Sequence, residues 1–161
     1  MSKRYWYLLD PHAALDAAER SESAIAANAE AIEQAKLNFD TTVPLLNAAL
    51  FAKNKGEAAI FVGFLFSYLA QAEDAEQEAK RNLAQIEAYL TGALACGVHP
   101  LIAQLLSAEE YADHMAKSEQ AKDDLRALHQ RASDRVQQIK EIARTLATSF
   151  RVVSGGVAGG G

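Results

Sequence analysis

Three long stretches of helical periodicity, separated by short breaks, constrain the fold of this chain more than any other feature. The first runs from Pro11 to Asn54, the second from Glu57 to about Ala95, and the third from Ser107 almost to the glycine-rich end. Each would span about 60–65 Å at 1.5 Å per residue. No stretch alternates with the period of a strand. Matched lengths and short connections predict an all-α fold: an elongated antiparallel bundle of three arms running up, down and up.

Residues that start and stop helices mark the breaks. Asp10 is an N-cap before a proline in the first helical position, Pro11. Ser107 and Glu110 form a capping box at the start of the third arm. The lysine- and glycine-containing segment Lys53–Gly56 is predicted to be the turn between the first two arms.

Two departures from regular helix are also predicted. The segment "DTTVP", Asp40–Pro44, should interrupt the first arm and kink it near Pro44, because an internal proline removes a hydrogen bond. The C-terminal "SGGVAGGG" is too rich in glycine to be helical. We therefore predict one helical-bundle domain over residues 1–153 and a glycine-rich tail over residues 154–161.

Apolar residues at helical spacing identify the expected core. In the first arm they are Leu15, Ala18, Ile25, Ala29, Ile32 and Phe39. In the third arm they keep a near-heptad spacing typical of coiled coils, and they are Leu125, Leu128, Ala132, Val136, Ile139, Ile142, Leu146 and Phe150.

An uncharged run, Ala58–Ala70, is the most unusual segment of the chain. It is too short for a membrane span, which needs about 20 apolar residues. The run should instead be buried on all sides, either within the chain or against other subunits. The alternative is a membrane-inserting hairpin over residues 43–70 with lysines at its tip, Lys53 and Lys55.

The aromatic residues of this run exceed what two neighbouring helices can cover. Phe61, Phe64, Phe66 and Tyr68 point in different directions around one helix. A large exposed apolar patch is unusual on a soluble monomer, so part of them should be covered by the segment Val43–Ala52, by the C-terminal tail, by another subunit or by lipid.

Small residues recur every four positions in the same run, at Ala59, Gly63 and Ser67. Such spacing allows two helices to approach closely, and another arm of the same bundle is the simplest neighbour.

The up-down-up order would gather the apolar segments at one pole of the bundle. We predict that this pole is the interaction site, formed by Leu46, Leu50, Phe51, Ala59, Phe61, Gly63, Phe64, Phe66, Ser67, Tyr68, Leu146, Phe150 and Val153.

Composition narrows the choice of partner and compartment. The net charge of -5 argues against nucleic acid, since phosphate neutralisation requires a basic surface. Cys96 is the single cysteine, which excludes an internal disulfide. No cleavable signal peptide is recognised at the N-terminus, so we expect a cytoplasmic protein or a component of an assembled particle.

No catalytic or metal-binding pattern stands out. Glu110, Asp113 and His114 lie at helical spacing, but carboxylate-bridged metal sites in bundles need paired Glu-x-x-His motifs, which are missing. A phosphate-binding glycine loop is missing as well. We therefore expect neither a cofactor nor enzymatic activity.

These observations favour a structural or interaction subunit of a larger assembly, such as a filament, a secretion component or a virion component. Its partner would be further copies of itself or a fixed protein partner. The alternative is a membrane-active protein that inserts the hairpin over residues 43–70 into a bilayer.

Overall fold

The computed structural model of the chain describes residues 10–95 and 103–159. These residues form three helices: α1 over Pro11–Phe51, α2 over Lys55–Ala95 and α3 over Ala108–Gly159. No strand occurs within the two described ranges, and the three helices pack against one another. The prediction of an all-α, bundle-like fold is therefore confirmed.

The two N-caps recognised in the sequence are present. The Oδ1 atom of Asp10 accepts hydrogen bonds from the backbone N–H groups of His12 and Ala13, at 3.0 and 3.2 Å. The Oγ atom of Ser107 accepts one from the N–H of Glu110, at 3.1 Å. Each satisfies a donor that the first helical turn leaves unpaired, which is worth about 1 kcal/mol.

A Schellman motif joins α1 to α2. The N–H of Lys53 donates to the carbonyl of Leu50 at 3.0 Å, and the N–H of Asn54 donates to the carbonyl of Ala49 at 2.9 Å. Lys53 is left-handed, with φ of 57°, which costs a residue with a Cβ atom about 1–2 kcal/mol. The Oδ1 atom of Asn54 then caps α2 by accepting from the N–H of Glu57 at 3.2 Å.

The turn is consequently shorter than predicted. The sequence pattern assigned Lys53–Gly56 to it, whereas Lys55 and Gly56 already belong to α2. Because the side chain of Asn54 caps α2 at once, α2 begins without further connecting residues. The left-handed position is occupied by a lysine rather than by the nearby glycine.

The buried side of α1 follows a strict heptad pattern. Buried residues alternate at steps of four and three along the whole helix, and they are Ala14, Ala18, Ser21, Ile25, Asn28, Ile32, Ala35, Phe39, Thr42, Leu46 and Ala49. One of the two heptad positions is always small or polar and the other is mostly large and apolar. Leu15 and Ala29, which were expected in the core, are only partly buried.

The buried side of α3 departs from the heptad pattern. Its buried residues are Ala121, Leu125, Leu128, Ala132, Val136, Ile139, Ala143, Leu146 and Phe150. Two consecutive steps of four, from Leu128 to Val136, place Ala121, Ala132 and Ala143 eleven residues apart. An eleven-residue repeat is closer to the 3.6 residues per turn of a straight helix than a heptad is. Ile142 is only partly buried for this reason.

Packing divides the chain into two compact units. Unit 1 comprises Met1–Ile25 and Lys80–Asp134, and unit 2 comprises Ala26–Ala79 and Arg135–Gly161. In unit 1, Ala14 and Ala18 from α1 pack with Leu125 and Leu128 from α3, and Leu90 from α2 packs against this cluster.

In unit 2 an aromatic residue of α3 connects the three helices. The ring of Phe150 lies 6.2 Å from that of Phe39 in α1 and 4.3 Å from that of Phe66 in α2, measured between centroids. Phe39 is 1% exposed and Phe150 is 8% exposed. Such inclined aromatic pairs add about 0.5–1.5 kcal/mol to the burial of their surface.

The helix α1 continues through Asp40–Pro44, where the sequence suggested an interruption. A proline deletes one backbone hydrogen bond, but Leu46 and Ala49 beyond it are buried. Their burial holds the following turns in helical geometry. The kink near Pro44 stays a prediction.

The C-terminal segment also differs from its prediction, because α3 continues to Gly159. Each glycine lowers helix propensity by about 1 kcal/mol relative to alanine. Extending an existing helix nevertheless adds one hydrogen bond for each residue fixed. Residues 160 and 161 lie outside the described ranges, as does Cys96.

Candidate interaction surface

Large apolar side chains on the exterior are concentrated in unit 2. The described part of the chain exposes eleven of them, and eight belong to this unit: Leu37, Leu45, Leu50, Phe51, Ile60, Phe64, Phe66 and Val152. Unit 1 contributes Leu94, Leu105 and Tyr111. Isolated exposed apolar residues are normal, whereas a concentration of this kind on one unit makes it the candidate interaction surface.

The densest part of this exterior lies on α2. Seven exposed, uncharged residues form it, and we call them the outer α2 surface: Ala59, Ile60, Gly63, Phe64, Phe66, Ser67 and Ala70. Within the run Ala58–Ala70, only Ala58 and Leu65 are buried. The run was expected to be buried on all sides, and within this chain it is buried on one side only.

Aromatic contacts hold the side chains of this surface in place. The rings of Phe61 and Phe64 lie 6.4 Å apart, and those of Phe64 and Tyr68 are stacked at 6.5 Å. The contact of Phe66 with the buried Phe150 anchors the other side. Yet Phe64 remains 46% exposed and Phe66 54% exposed. The rings are ordered by neighbours and still offer an open side to a partner.

Gly63 lies in the middle of the outer α2 surface with open space beside it. A methyl group added there would meet no atom within 4 Å. The close helix approach expected at Gly63 is therefore not made by another described helix of this chain. An exposed glycine in a helix costs about 1 kcal/mol relative to alanine, and nothing in the described chain offsets that cost.

The structure separates the predicted site residues into three groups. The exposed ones are Leu50, Phe51, Ala59, Gly63, Phe64, Phe66 and Ser67. Phe61, Tyr68 and Val153 are partly buried. The others, Leu46, Leu146 and Phe150, are at most 8% exposed, so they belong to the core and support the surface from within. Helical spacing in the third arm had also placed Leu146 and Phe150 in the expected core, whereas Leu46 was not assigned to it.

Four residues of the exterior were missed. Leu37, Leu45, Ile60 and Val152 are 49–72% exposed. The heptad register of α1 would have revealed the first two, because neither Leu37 nor Leu45 falls on its buried positions. Val153, which was predicted, lines a shallow groove with Val43 and Pro44.

Opposite charges flank the outer α2 surface. Lys53 and Lys55 precede it, and Glu73 and Asp74 follow it. All four side chains are exposed, and none has an ion-pair partner within the described residues. Glu57, two residues after Lys55, is also exposed, but helical spacing places it about 160° around α2 from Lys55. The surface is therefore apolar at its centre and acidic at its far end, and its near end carries Lys53, Lys55 and Glu57.

Away from the outer α2 surface, ion pairs link neighbouring turns of single helices in both units, and Lys36 pairs with Asp40 at 2.7 Å on α1 of unit 2. Along α3, Lys117 pairs with Asp113 at 2.8 Å, and Lys122 pairs with Glu119 at 3.1 Å. These are bridges between neighbouring turns of one helix, which contribute a few tenths of a kcal/mol each. They leave a solvated polar exterior.

Glu110, Asp113 and His114, which the sequence places at helical spacing, do not belong to a cluster of metal ligands in the described ranges. No group of three or more histidine, cysteine, aspartate or glutamate residues suited to a metal occurs in the ranges the structure describes. Asp113 is engaged by Lys117. The Nε2 atom of His114 is buried without a hydrogen-bond partner.

Comparisons with known proteins identify no family for this chain. No family model, no curated protein and no solved structure matches this chain. Among the described helices, none combines the length and the apolar character that crossing a membrane requires.

Proposed function

We propose that this chain is a non-enzymatic interaction subunit that docks onto another protein surface through the outer α2 surface. One observation carries the proposal: seven of the thirteen residues of the uncharged run Ala58–Ala70 are exposed on the exterior of unit 2. Apolar surface gains free energy when removed from water, at about 25 cal/mol per Å². A protein partner would supply that burial.

The surface also has the composition of a protein interface. Interfaces place aromatic residues at an apolar centre and charged residues at a polar rim. Phe64 and Phe66 occupy the centre here, while Lys55 and Asp74 lie beyond its two ends. Because the rings already contact Phe61, Tyr68 and Phe150, little side-chain entropy would be lost on binding.

The arrangement of the arms is part of the same proposal. We expect the three helices to run up, down and up, with a bend near Pro44 and a glycine-rich C-terminal segment. The subunit would belong to a homo-oligomer or to a complex with a fixed protein partner. A filament, a secretion apparatus and a virion are the classes of assembly that such a subunit would suit.

Site-specific crosslinking tests the proposed function. A photoreactive amino acid would replace Phe64, and a matched control would replace Arg126, which is exposed in unit 1. In cells that produce the chain, we expect position 64 to yield a discrete protein–protein crosslink and position 126 to yield none. Equal yields from the two positions, or no crosslink from position 64, would contradict the proposal.

A second candidate function, insertion into a membrane surface, is favoured by the tip between α1 and α2. Phe51 is 92% exposed there, next to Lys53 and Lys55. An aromatic residue beside lysines suits the interface of an anionic bilayer. Flotation with anionic vesicles should then recover the wild type and lose the Phe51→Glu variant, and a wild type that never floats would exclude this function.

A further inference from the structure

We propose that the partner of the outer α2 surface is a second copy of this chain, with its α2 helix packed antiparallel on the first. This inference rests on the proposed function, because it names the protein that the surface binds. Three properties of the surface support it. The surface has a continuous row of exposed residues at helical spacing, its charged residues are ordered so that two antiparallel copies attract, and the open space beside Gly63 can receive the ring of Phe66.

The seam consists of Ala59, Gly63, Phe66 and Ala70. Their steps of four, three and four place them along one side of α2, and all four are exposed. This is the spacing with which one helix packs against another. The buried side of α2 carries a separate series that includes Ala58, Leu65 and Ala72. The helix therefore has one seam for its own bundle and a second one that stays exposed, although Phe66 in it also contacts Phe150.

Charge order selects an antiparallel copy as the occupant. Lys55 lies nine residues before Phe64 and Glu73 lies nine residues after it, so each is about 14 Å along the helix from that point. In an antiparallel pair with its two-fold axis near Phe64, Lys55 of each helix lies opposite Glu73 and Asp74 of the other, while Glu57 lies on a different side of the helix. A parallel pair would place like charges together, which is unfavourable.

The same register brings large and small residues together. With the two-fold axis between Phe64 and Leu65, Gly63 of each copy lies opposite Phe66 of the other, and Ala59 lies opposite Ala70. The ring of Phe66 is half-exposed, and the space beside Gly63 is open. In a two-fold symmetric interface each copy contributes the same patch, so the contact between Phe66 of one copy and Gly63 of the other is made twice.

Charge reversal in two complementary variants tests the pairing. One variant carries Lys53→Glu and Lys55→Glu, and the other carries Glu73→Lys and Asp74→Lys. In sedimentation equilibrium at low salt, we expect the wild type to be dimeric. Each variant alone should associate at least tenfold more weakly, because both ends of its interface would hold like charges. An equimolar mixture of the two should recover dimers, since both ends are then attractive again.

Several outcomes would overturn the inference. Variants that dimerise as tightly as the wild type, or a mixture that recovers nothing, would exclude this antiparallel register. A wild type that stays monomeric at millimolar concentration would exclude the second copy. In that case, a discrete crosslink from position 64 to another protein would still support the proposed function, whereas binding to anionic vesicles would favour a lipid partner. Circular dichroism establishes that each variant is folded.

A second variant separates association from folding. Gly63→Leu improves helix propensity, and a Cβ atom at this position meets no side chain and no other helix of the described chain within 4 Å. The midpoint of thermal unfolding, measured on dilute monomer, should therefore not fall. In the dimer the added side chain occupies the space assigned to Phe66 of the other copy, and association should weaken at least tenfold. Ala84→Leu, at an exposed position of α2 in unit 1, is the matched control. Equal association by the two variants would contradict the seam.

Discussion

Units 1 and 2 pack the same three helices, yet they present opposite exteriors. Unit 1 exposes ion pairs between neighbouring turns of α3, such as Lys117 with Asp113. Unit 2 exposes Phe64 and Phe66 on α2 and leaves Lys55 without an ion-pair partner among the described residues. The cores of the two units use similar residues, so the difference lies in the outer positions. We propose that water covers the exterior of unit 1 and that an apolar protein surface covers the outer α2 surface of unit 2.

Within α2, core and exterior are sharply divided between adjacent residues. The largest change in stability that we predict tests this division. Leu65 is fully buried, whereas the adjacent Phe64 is 46% exposed. Leu65→Ala should lower the free energy of unfolding by about 2–5 kcal/mol, because it removes contacts and leaves a cavity. Phe64→Ala should lower it by less than about 1 kcal/mol.

Urea denaturation of dilute protein measures both variants, since dilution removes any contribution from association. If Phe64→Ala were as destabilising as Leu65→Ala, Phe64 would belong to the core of unit 2. The contrast between the two units would then lose its main support.

A smaller effect is expected at equivalent polar positions of the two cores. Asn28 in unit 2 is buried, and its Nδ2 atom has no hydrogen-bond partner. The hydroxyl of Ser21, one heptad earlier in unit 1, shares its one proton between two acceptors, the carbonyl oxygen of Ala17 at 3.2 Å and Oε1 of Gln85 at 3.3 Å. An unsatisfied buried polar group costs about 1–3 kcal/mol, so Asn28→Ala should be stabilising by about 1 kcal/mol.

Ser21→Ala is the matched control and should bring no gain, because the shared hydrogen bond of the hydroxyl is lost. Thermal unfolding followed by circular dichroism compares the two variants directly. An Asn28→Ala variant less stable than the wild type would show that the amide has a favourable role in the core of unit 2.

The smallest effect is expected at the turn between α1 and α2. Lys53 adopts a left-handed backbone conformation that glycine tolerates without steric cost. Lys53→Gly should therefore be stabilising by about 0.5–1 kcal/mol, after allowing for the greater freedom of glycine in the unfolded chain. Glycine at Lys55, which is already helical, should be destabilising by a similar amount. If the two substitutions had the same sign in urea denaturation, this account of the turn would be wrong.

Much of the fold was predictable because its determinants are local. Asp10 and Ser107 cap their helices through the backbone of the following turn, and that pattern is visible in the sequence. Most core residues of α1 and α3 were predictable for a similar reason, since helical spacing places them on one side. Ile142 was misassigned because two consecutive steps of four rotate the buried side of α3.

The surface was less predictable because exposure depends on tertiary packing. Leu46 and Leu45 are adjacent leucines in α1, yet the first is fully buried and the second is 49% exposed. Only the register of the whole helix decides between them. The turn was also misassigned, because glycine is the usual left-handed residue and Lys53 takes that place here. The C-terminal segment was misassigned because the low helix propensity of glycine predicted a non-helical tail, whereas α3 continues to Gly159.

The central claim is that a second copy covers the outer α2 surface while the exterior of unit 1 stays open to solvent. Hydroxyl-radical footprinting of the wild type at low and high protein concentration measures this most directly, by comparing Phe64 and Phe66 with Tyr111, which is 42% exposed in unit 1. We predict that oxidation of Phe64 and Phe66 falls several-fold as concentration rises, while oxidation of Tyr111 does not change. Unchanged oxidation at all three positions, or equal protection of all three, would contradict the account.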